Sequence, residues 1–398
     1  MKKIVLGCLC LAAAGFILPL SGCKGKNKSE RVTLTVWEST NGPDEFIRKA
    51  GEIYEQSHPG IKIKYVNVEL ADAVGQIALD GPAGKGPDVF AAPHDKLGTL
   101  VVGGHVLETP PESFNPKTLA SCKKALTYDG KLYGYPVSAE TYALFYNKAL
   151  ISENEVPKTW ASLAEWTKAF NAKNPDKRGF VMNAGEGYYT IIFTTSDGNR
   201  LFGEEGTDRQ NSNINSEKSI AGMKFFQSLR SALDIPANDL DTATVDGAFQ
   251  SGNAAMHITG LWNVVAFEKA GIDFGVAPLP SLPGEKTPAS SFSGTRAMFV
   301  SAYTDFPKEA AEFAAFLASD EMQKLRFECT GALPAVDIEL ESKYAKGFLE
   351  QLSYAFPMPS IPEMSMFWEA MNNASKNIWN GADVKAELDA CNASMVSK

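Results

Sequence analysis

Histidine is scarce in these 398 residues. His58, His94, His105 and His257 are the only four, and they are scattered without metal-ligand spacing. Cysteine supplies no scaffold either. Three of the six cysteines fall in the first 23 residues, and Cys122, Cys329 and Cys391 are an odd set that fits no disulfide framework or zinc motif. One pair could form, but the spacing does not choose it, and no structural metal is expected. Positive charge is also short: 38 Lys and Arg against 47 Asp and Glu leave a net −9, which argues against binding a phosphate backbone. The glycine-rich turn Gly81 to Pro87 (GPAGKGP) lacks the Gly-x4-Gly-Lys-Ser/Thr order of a nucleotide loop. After Leu20 no run is long and apolar enough to cross a bilayer, and no internal repeat is visible.

What is present begins with an export signal. Lys2 and Lys3 precede an apolar run from Ile4 to Leu20, followed by Ser21-Gly22-Cys23. A basic start, a short apolar core and small residues before the cut describe a secretory signal over residues 1–22. The cysteine directly after Ser-Gly resembles the bacterial lipoprotein signal, which makes Cys23 the expected lipidation site. Removing two lysines and no acids takes the charge from −9 to −11. Residues 23–31 are the lipidated cysteine and a polar, flexible tether. The expected product is exported and lipid-anchored, on the outer face of the cytoplasmic membrane or in the periplasm. Its length calls for about two domains.

The mature chain opens with a strand at Leu34 to Trp37, a helix over Asp44 to Gln56 with Phe46, Ile47, Ala50, Ile53 and Tyr54 inward, and an alternating strand from Ile61. A further helix and the strand Asp88 to Ala92 complete a β-α-β-α-β order. That order implies a parallel sheet whose ligand loops, Glu38 to Asp44 and Pro93 to Lys96, leave the strands' carboxyl ends on one edge. Phe180 to Tyr189 reads as a strand ending in a loop that presents Glu186, Tyr188 and Tyr189. Ala254 to Ile258 is a buried strand ending at Trp262, Ala297 to Ala302 another, and Asp305 to Phe327 one helix.

The stretch on which the rest turns is Lys131 to Lys148, KLYGYPVSAETYALFYNK. Its apolar-aromatic run reads as buried strand, interrupted by Ser138-Ala139-Glu140. An acid there fits a chain crossing between two packed bodies, with Glu140 facing the gap. Ser293-Gly294-Thr295 is a plausible second crossing. The polar candidates for a site are Asp95, Lys96, Glu140 and Glu186, and the aromatic ones Tyr188, Tyr189, Trp262 and Trp368. Such a mixture suits a saccharide, whose hydroxyls need bidentate partners and whose C–H faces need rings. Each has a plainer reading: Asp95 as a turn cap, Lys96, Glu140 and Glu186 as solvated charges, Trp262 as core. Tyr188 and Tyr189 cannot both face inward on an extended segment, so one is packing. His94 reads as a satisfied structural histidine, and Trp37, Trp160, Trp166 and Trp379 as core. Prolines 357, 359 and 362 stiffen the approach to Phe367-Trp368.

Pro93-His94-Asp95-Lys96, Tyr135-Pro136 through Glu140 to Tyr146-Asn147-Lys148, Pro157-Lys158-Thr159-Trp160, Glu186-Gly187-Tyr188, Gly260-Leu261-Trp262 and Met358-Pro359 through Phe367-Trp368 carry a resemblance along nearly the whole mature chain. Together they resemble the maltose/maltodextrin-binding branch of the bacterial solute-binding proteins that serve ABC importers. The resemblance implies an α/β, two-lobe periplasmic-binding-protein fold of type II, its lobes joined by two or three hinge crossings near Ala139, Gly294 and Glu339 to Tyr344, with the ligand cleft between them. It divides the chain into an N-terminal lobe (32–138 plus 295–340) and a C-terminal lobe (139–294 plus 341–398). It implies that Asp95, Lys96, Glu140, Glu186 and Tyr188 bond glucose hydroxyls, that Trp262 and Trp368 stack on the rings, and that Met358 and Asn41 join Tyr189 in the candidate set. Maltose or maltodextrin is the expected ligand, a membrane permease the expected partner, and the chain a monomer without cofactor or catalytic residues. There are departures. Ala92 stands where some relatives have tryptophan, Lys96 where they often have arginine, and Asn41-Gly42-Pro43-Asp44 does not match their Asp-Lys pair. A different di- or oligosaccharide is therefore the alternative ligand, with a glycan sensor, an adhesin or a glycosidase as further readings.

Overall fold

The computed structural model describes residues 31–235, 239 and 241–396. The signal segment, Cys23 and the tether up to Glu30 lie outside the described residues. Among the described residues no helix is long and apolar enough to cross a membrane.

Strand β1 (Val32–Glu38) alternates an outward Thr33 with buried Leu34 and Val36 and pairs in parallel with both β2 (Ile61–Asn67) and β3 (Val89–Pro93). The helix Pro43–Ser57 that links β1 to β2 buries Phe46, Ile47, Ala50 and Tyr54. Ile53, expected on that face, is 38% exposed. Gly51 takes the inward place instead, where a Cβ would stand 3.1 Å from that of Ile63. The short hairpin β4 (Thr127–Tyr128) and β5 (Lys131–Leu132) follows, leading into β6 (Tyr135–Asn147).

The main sheet runs β2-β1-β3-β10-β6-β8-β7, where β7 is Arg178–Val181, β8 Ala254–Gly260 and β10 Phe292–Val300. Strand β9 (Phe274–Ala277) adds to β6, and β11 (Phe356–Pro357) to β10. The sheet is mixed and not purely parallel, because β10 lies antiparallel between β3 and β6. The order of the first elements is silent on this, since β10 returns from the far end of the chain.

Strand β6 belongs to two cores. Tyr135 and Val137 pack with Leu34, Val36, Val89 and Met298, whereas Tyr142, Leu144 and Tyr146 pack with Phe180, Met256, Ile258 and Phe367. On the opposite face Phe145 meets Phe249, Phe267, Phe274 and Phe348. Burying each such side chain is worth about 1.5–3 kcal/mol, which holds the strand firmly at both ends. The changeover falls at Ala139 to Thr141, where β10 runs alongside with Thr295, Gly294 and Ser293 opposite. A third run is tied in beside them: the Ala139 amide donates to the Leu333 carbonyl (2.8 Å) and the Leu119 amide to that of Ala335 (2.9 Å).

Two sequence expectations need correction. The helix over Asp305 to Phe327 is two helices, Pro307–Leu317 and Asp320–Thr330, because Ser319 caps the second by accepting from the Met322 amide (3.4 Å). After β7 the chain does not stay extended to Tyr189; Gly187–Thr190 is a helical turn. Trp37, Trp160 and Trp379 are core, as expected, while Trp166 is half-buried and stacks on Phe170. Cys122, Cys329 and Cys391 are all free thiols.

Candidate functional site

Strand β3 ends at Pro93, and the tight turn His94–Lys96 that follows puts Asp95 in a buried position and Lys96 at its edge. The Lys96 ammonium lies 2.9 Å from Asp95 Oδ2 and 5.5 Å from the centre of the Trp368 ring. His94 is fully buried. The Thr295 amide donates to its Nδ1 (3.0 Å), so Nε2 carries the proton and donates to the Met358 carbonyl (2.9 Å). The structural reading of His94 holds, with a sharper content: it ties β10 to the proline-stiffened run.

That run is laid along β10 by its non-proline amides. Phe356 donates to Ser291 (3.0 Å) and Met358 to Ser293 (3.2 Å), so the prolines at 357 and 359 fall where no ladder donor is needed. Ser360 accepts from the Gly98 amide (2.8 Å), and a Cβ on Gly98 would lie 2.4 Å from that carbonyl oxygen. The helix Met364–Trp379 then starts, with Phe367 inward and Trp368 at the cleft wall.

A cavity of about 410 Å³ lies where these passages meet. Asp95, Lys96 and Glu140 supply its charged groups, Tyr188, Trp262 and Trp368 its rings, and Gly294, Thr295 and Met358 part of its wall, with Leu70, Ala71 and Pro93 completing it. Glu140 is the one residue of β6 that is not fully buried; its Oε1 accepts from Ser138 Oγ (3.1 Å). Gly294 faces it across the strand pair. Tyr188 is central among the rings, with centroids 6.0 Å from Trp262 and 6.3 Å from Trp368. Trp262, 42% exposed, folds its ring over Gly260, where a Cβ would come within 2.1 Å of it.

Seven of the ten candidate binding residues thus line one cavity: Asp95, Lys96, Glu140, Tyr188, Trp262, Met358 and Trp368. Three do not. Tyr189 is buried against Tyr142 at 5.2 Å, because a helical turn points neighbours about 100° apart. Glu186 is held by its neighbours, its Oε2 accepting from Asn183 (2.9 Å) and Thr242 (3.2 Å). Burial raises the Glu186 carboxyl above its ordinary value, against the pull of the Thr242 hydrogen bond and Lys376. Asn41 is exposed, sits in the left-handed region at φ 63° and does not line the cavity. Ala92 is fully buried with Phe90 and Phe299 and likewise stays out of it.

One feature of the region escaped the sequence reading. Glu38, at the carboxyl end of β1, is buried between Arg296 of β10 and Arg326. Burial would raise its carboxyl, but the two guanidinium groups hold it below the ordinary range. An arginine inside the apolar strand Phe292–Val300 was the available signal, since a buried charge requires a partner.

The fold and this cleft place the chain among the bacterial extracellular solute-binding proteins, and residues 49–346 match the family of that description, so the chain belongs to it. It is similar to the galactooligosaccharide-binding protein of Bacillus subtilis (strain 168), 35% identical over 96% of this chain and 92% of that one. A maltooligosaccharide ABC transporter solute-binding lipoprotein of Streptococcus pneumoniae is 30% identical over 93% of this chain and 90% of its own. Among solved structures, a cyclo/maltodextrin-binding protein complexed with maltotetraose superposes with a TM-score of 0.81 at 34% identity, covering 91% of this chain and 96% of that one. The architecture is the α/β periplasmic sugar-binding fold of two lobes.

Proposed function

We propose that this chain is the substrate-binding lipoprotein of an ABC sugar importer and takes a maltodextrin-type α-glucan into the cleft. One observation carries the reading: two acidic groups and an ammonium share a 410 Å³ cavity with three aromatic rings. Asp95, Lys96 and Glu140 would meet hydroxyls, and Trp262, Tyr188 and Trp368 would cover sugar faces. Glu186, whose Oε1 takes no hydrogen bond from the described residues, would serve a longer chain as a further acceptor outside this cavity. Met358 closes the hinge side. Residues 32–138 with 295–340 form one lobe and 139–294 with 341–398 the other. A ligand touching both favours the closed form, which is the form a membrane permease receives.

We assign the chain no covalent chemistry. Of the pair Glu140 and Glu186 that a glycosidase reading would use, only Glu140 lines the cavity, and the second acid there, Asp95, is paired with the Lys96 ammonium at 2.9 Å. Cys23 is the proposed lipid anchor, and the binding unit is a monomer.

A galactooligosaccharide is the second ligand, favoured by the 35% relative and by the buried Ala92, which offers no ring. Calorimetric titration of the soluble chain from Lys24 with maltose, maltotriose, a cyclic glucan, galactobiose, sucrose and glucose tests both. Saturable heat with α-glucans supports the first reading. Heat with galactobiose alone replaces it with the second, and silence across the panel removes both.

A further inference from the structure

We propose that Arg296, which does not line the cleft, is a positioning residue for ligand binding. It would act by holding the Glu140 carboxylate at the cavity wall against a buried positive charge. The proposal rests on the saccharide reading of that cavity.

Strand register sets these side chains on one face. Arg296 pairs with Ser138 and Gly294 with Glu140 across β10 and β6, and the register shift in this ladder comes only after Arg296. Residues two apart on a strand share a face. Ser138, Glu140, Gly294 and Arg296 therefore occupy one patch, with Arg296 diagonal to Glu140 and a long side chain able to span that offset. Ser138 Oγ, directly opposite Arg296, is the group that donates to Glu140 Oε1.

The charges then decide the matter. Arg296 Nη2 donates to Glu38 Oε1 and to Ser39 Oγ (2.7 Å), while Arg326 Nη1 donates to Glu38 Oε2 (3.2 Å). Two guanidinium groups thus share one carboxylate, and all three side chains are at least nine-tenths buried. The Nε atoms of both arginines are buried without a hydrogen-bond partner. A buried excess of one positive charge needs a counter-charge. Glu140 answers it: after burial and Glu38, it is the next influence on Arg296 and raises that guanidinium's proton affinity, and it acts in the same sense on Arg326. The excess is anchored away from solvent by β1 and the Asp320–Thr330 helix, so it attracts Glu140 from behind the cavity wall. Glu140 is left as a fixed acceptor with its outer side free for hydroxyls.

Either arginine can be removed while leaving Glu38 one partner, and this separates positioning from support of the fold. R296M, R326M, E140Q and R296M/E140Q are compared by calorimetric titration with maltotriose, or with galactobiose where the wild type binds only that, alongside thermal melts. R296M should weaken Kd about 10-fold, and R326M, which removes the charge excess but leaves the guanidinium that is diagonal to Glu140, by clearly less. The double variant should bind no worse than E140Q alone, because both changes remove one interaction. R296K, which keeps the charge, should recover most of the affinity. R296Q replaces R296M, with the same expectation, if R296M gives no cooperative melt. Wild-type affinity in a folded R296M or R296Q, additive losses in the double variant, or equal losses in R296K and R296M would overturn the proposal. A wild type that binds no saccharide overturns the cleft reading and this proposal with it.

Discussion

His94 Nε2 donates to the carbonyl of Met358, 264 residues away, at 2.9 Å, while its Nδ1 accepts from the Thr295 amide. One imidazole therefore fixes three parts of the cleft wall: the turn carrying Asp95 and Lys96, the crossing strand β10, and the run leading to Trp368. Burial pulls its pKa below the ordinary 6.5, and the neighbouring Asp95 does not make up the difference. Protonation would set an N–H on Nδ1 against the Thr295 N–H.

The neutral ring gives stability a definite pH dependence. Below about pH 6.5 the unfolded chain takes up a proton that the folded chain refuses, so this contribution is present at neutral pH and lost as pH falls. Urea unfolding between pH 7.5 and 5 should show it. H94Q should cost about 1–3 kcal/mol at pH 7.5 and lose less stability than wild type on acidification. A variant with the wild-type acid slope would show that His94 is not the group responsible.

Trp368 and Glu140 face the same cavity from a helix and a strand and should be separable by ligand. W368A removes a ring face and E140A an acceptor; each should weaken α-glucan binding about 10-fold or more, which is about 1.4 kcal/mol. Loss of the ring should fall equally on a saccharide and its deoxy analogue. E140A should narrow the gap between them, since an unpaired buried acceptor is what penalises the analogue. Titration of both variants with both sugars measures this, and identical ratios in the two variants would remove Glu140 from direct contact.

Much of this site was legible because its signals are local. An acid inside the apolar run Tyr135–Asn147 announces a passage between cores, and the prolines at 357 and 359 alternate with the Phe356 and Met358 amides that donate to Ser291 and Ser293. What stayed hidden depends on distant partners. The antiparallel place of β10 joins residues some 200 positions from β3, and the charge on Glu38 is answered by Arg296 and Arg326, more than 250 positions on. Tyr189 and Glu186 were set beside Tyr188 by adjacency, yet one helical turn gives each a different surrounding. Asn41 lies in a loop that departs from the Asp-Lys pattern of the resembled family, and it is exposed outside the cavity.

The thiols offer a test of packing. Cys122 and Cys391 are buried, and burial pushes their pKa values up to about 11 and about 12. Cys329 is only half-buried. Because the thiolate is the reactive form, the folded chain from Lys24 should take one equivalent of a thiol reagent at pH 7.5, at Cys329, and three in denaturant. Peptide mapping that finds Cys122 modified in the native state would mean that the junction it shares with Ala139 and Ala335 opens readily.

Gly294 lies opposite Glu140 at the hinge, and its missing side chain is part of the cavity. A Cβ there would rest 3.5 Å from the Glu140 Cβ, 3.6 Å from Met358 Cε and 3.8 Å from Glu140 Oε2, all ordinary contacts. G294A should therefore fold without strain and gain about 0.4–1 kcal/mol from the reduced freedom of the unfolded chain. The same methyl would sit beside Glu140, the acceptor proposed for a sugar hydroxyl. Affinity should fall by several-fold, about 1 kcal/mol or more, while the melting temperature holds or rises. G294L should abolish binding, because its side chain would occupy the space over Glu140. Stability and affinity moving together in G294A would mean that Gly294 serves only the strand pairing; their moving apart would mark it as space kept open for ligand.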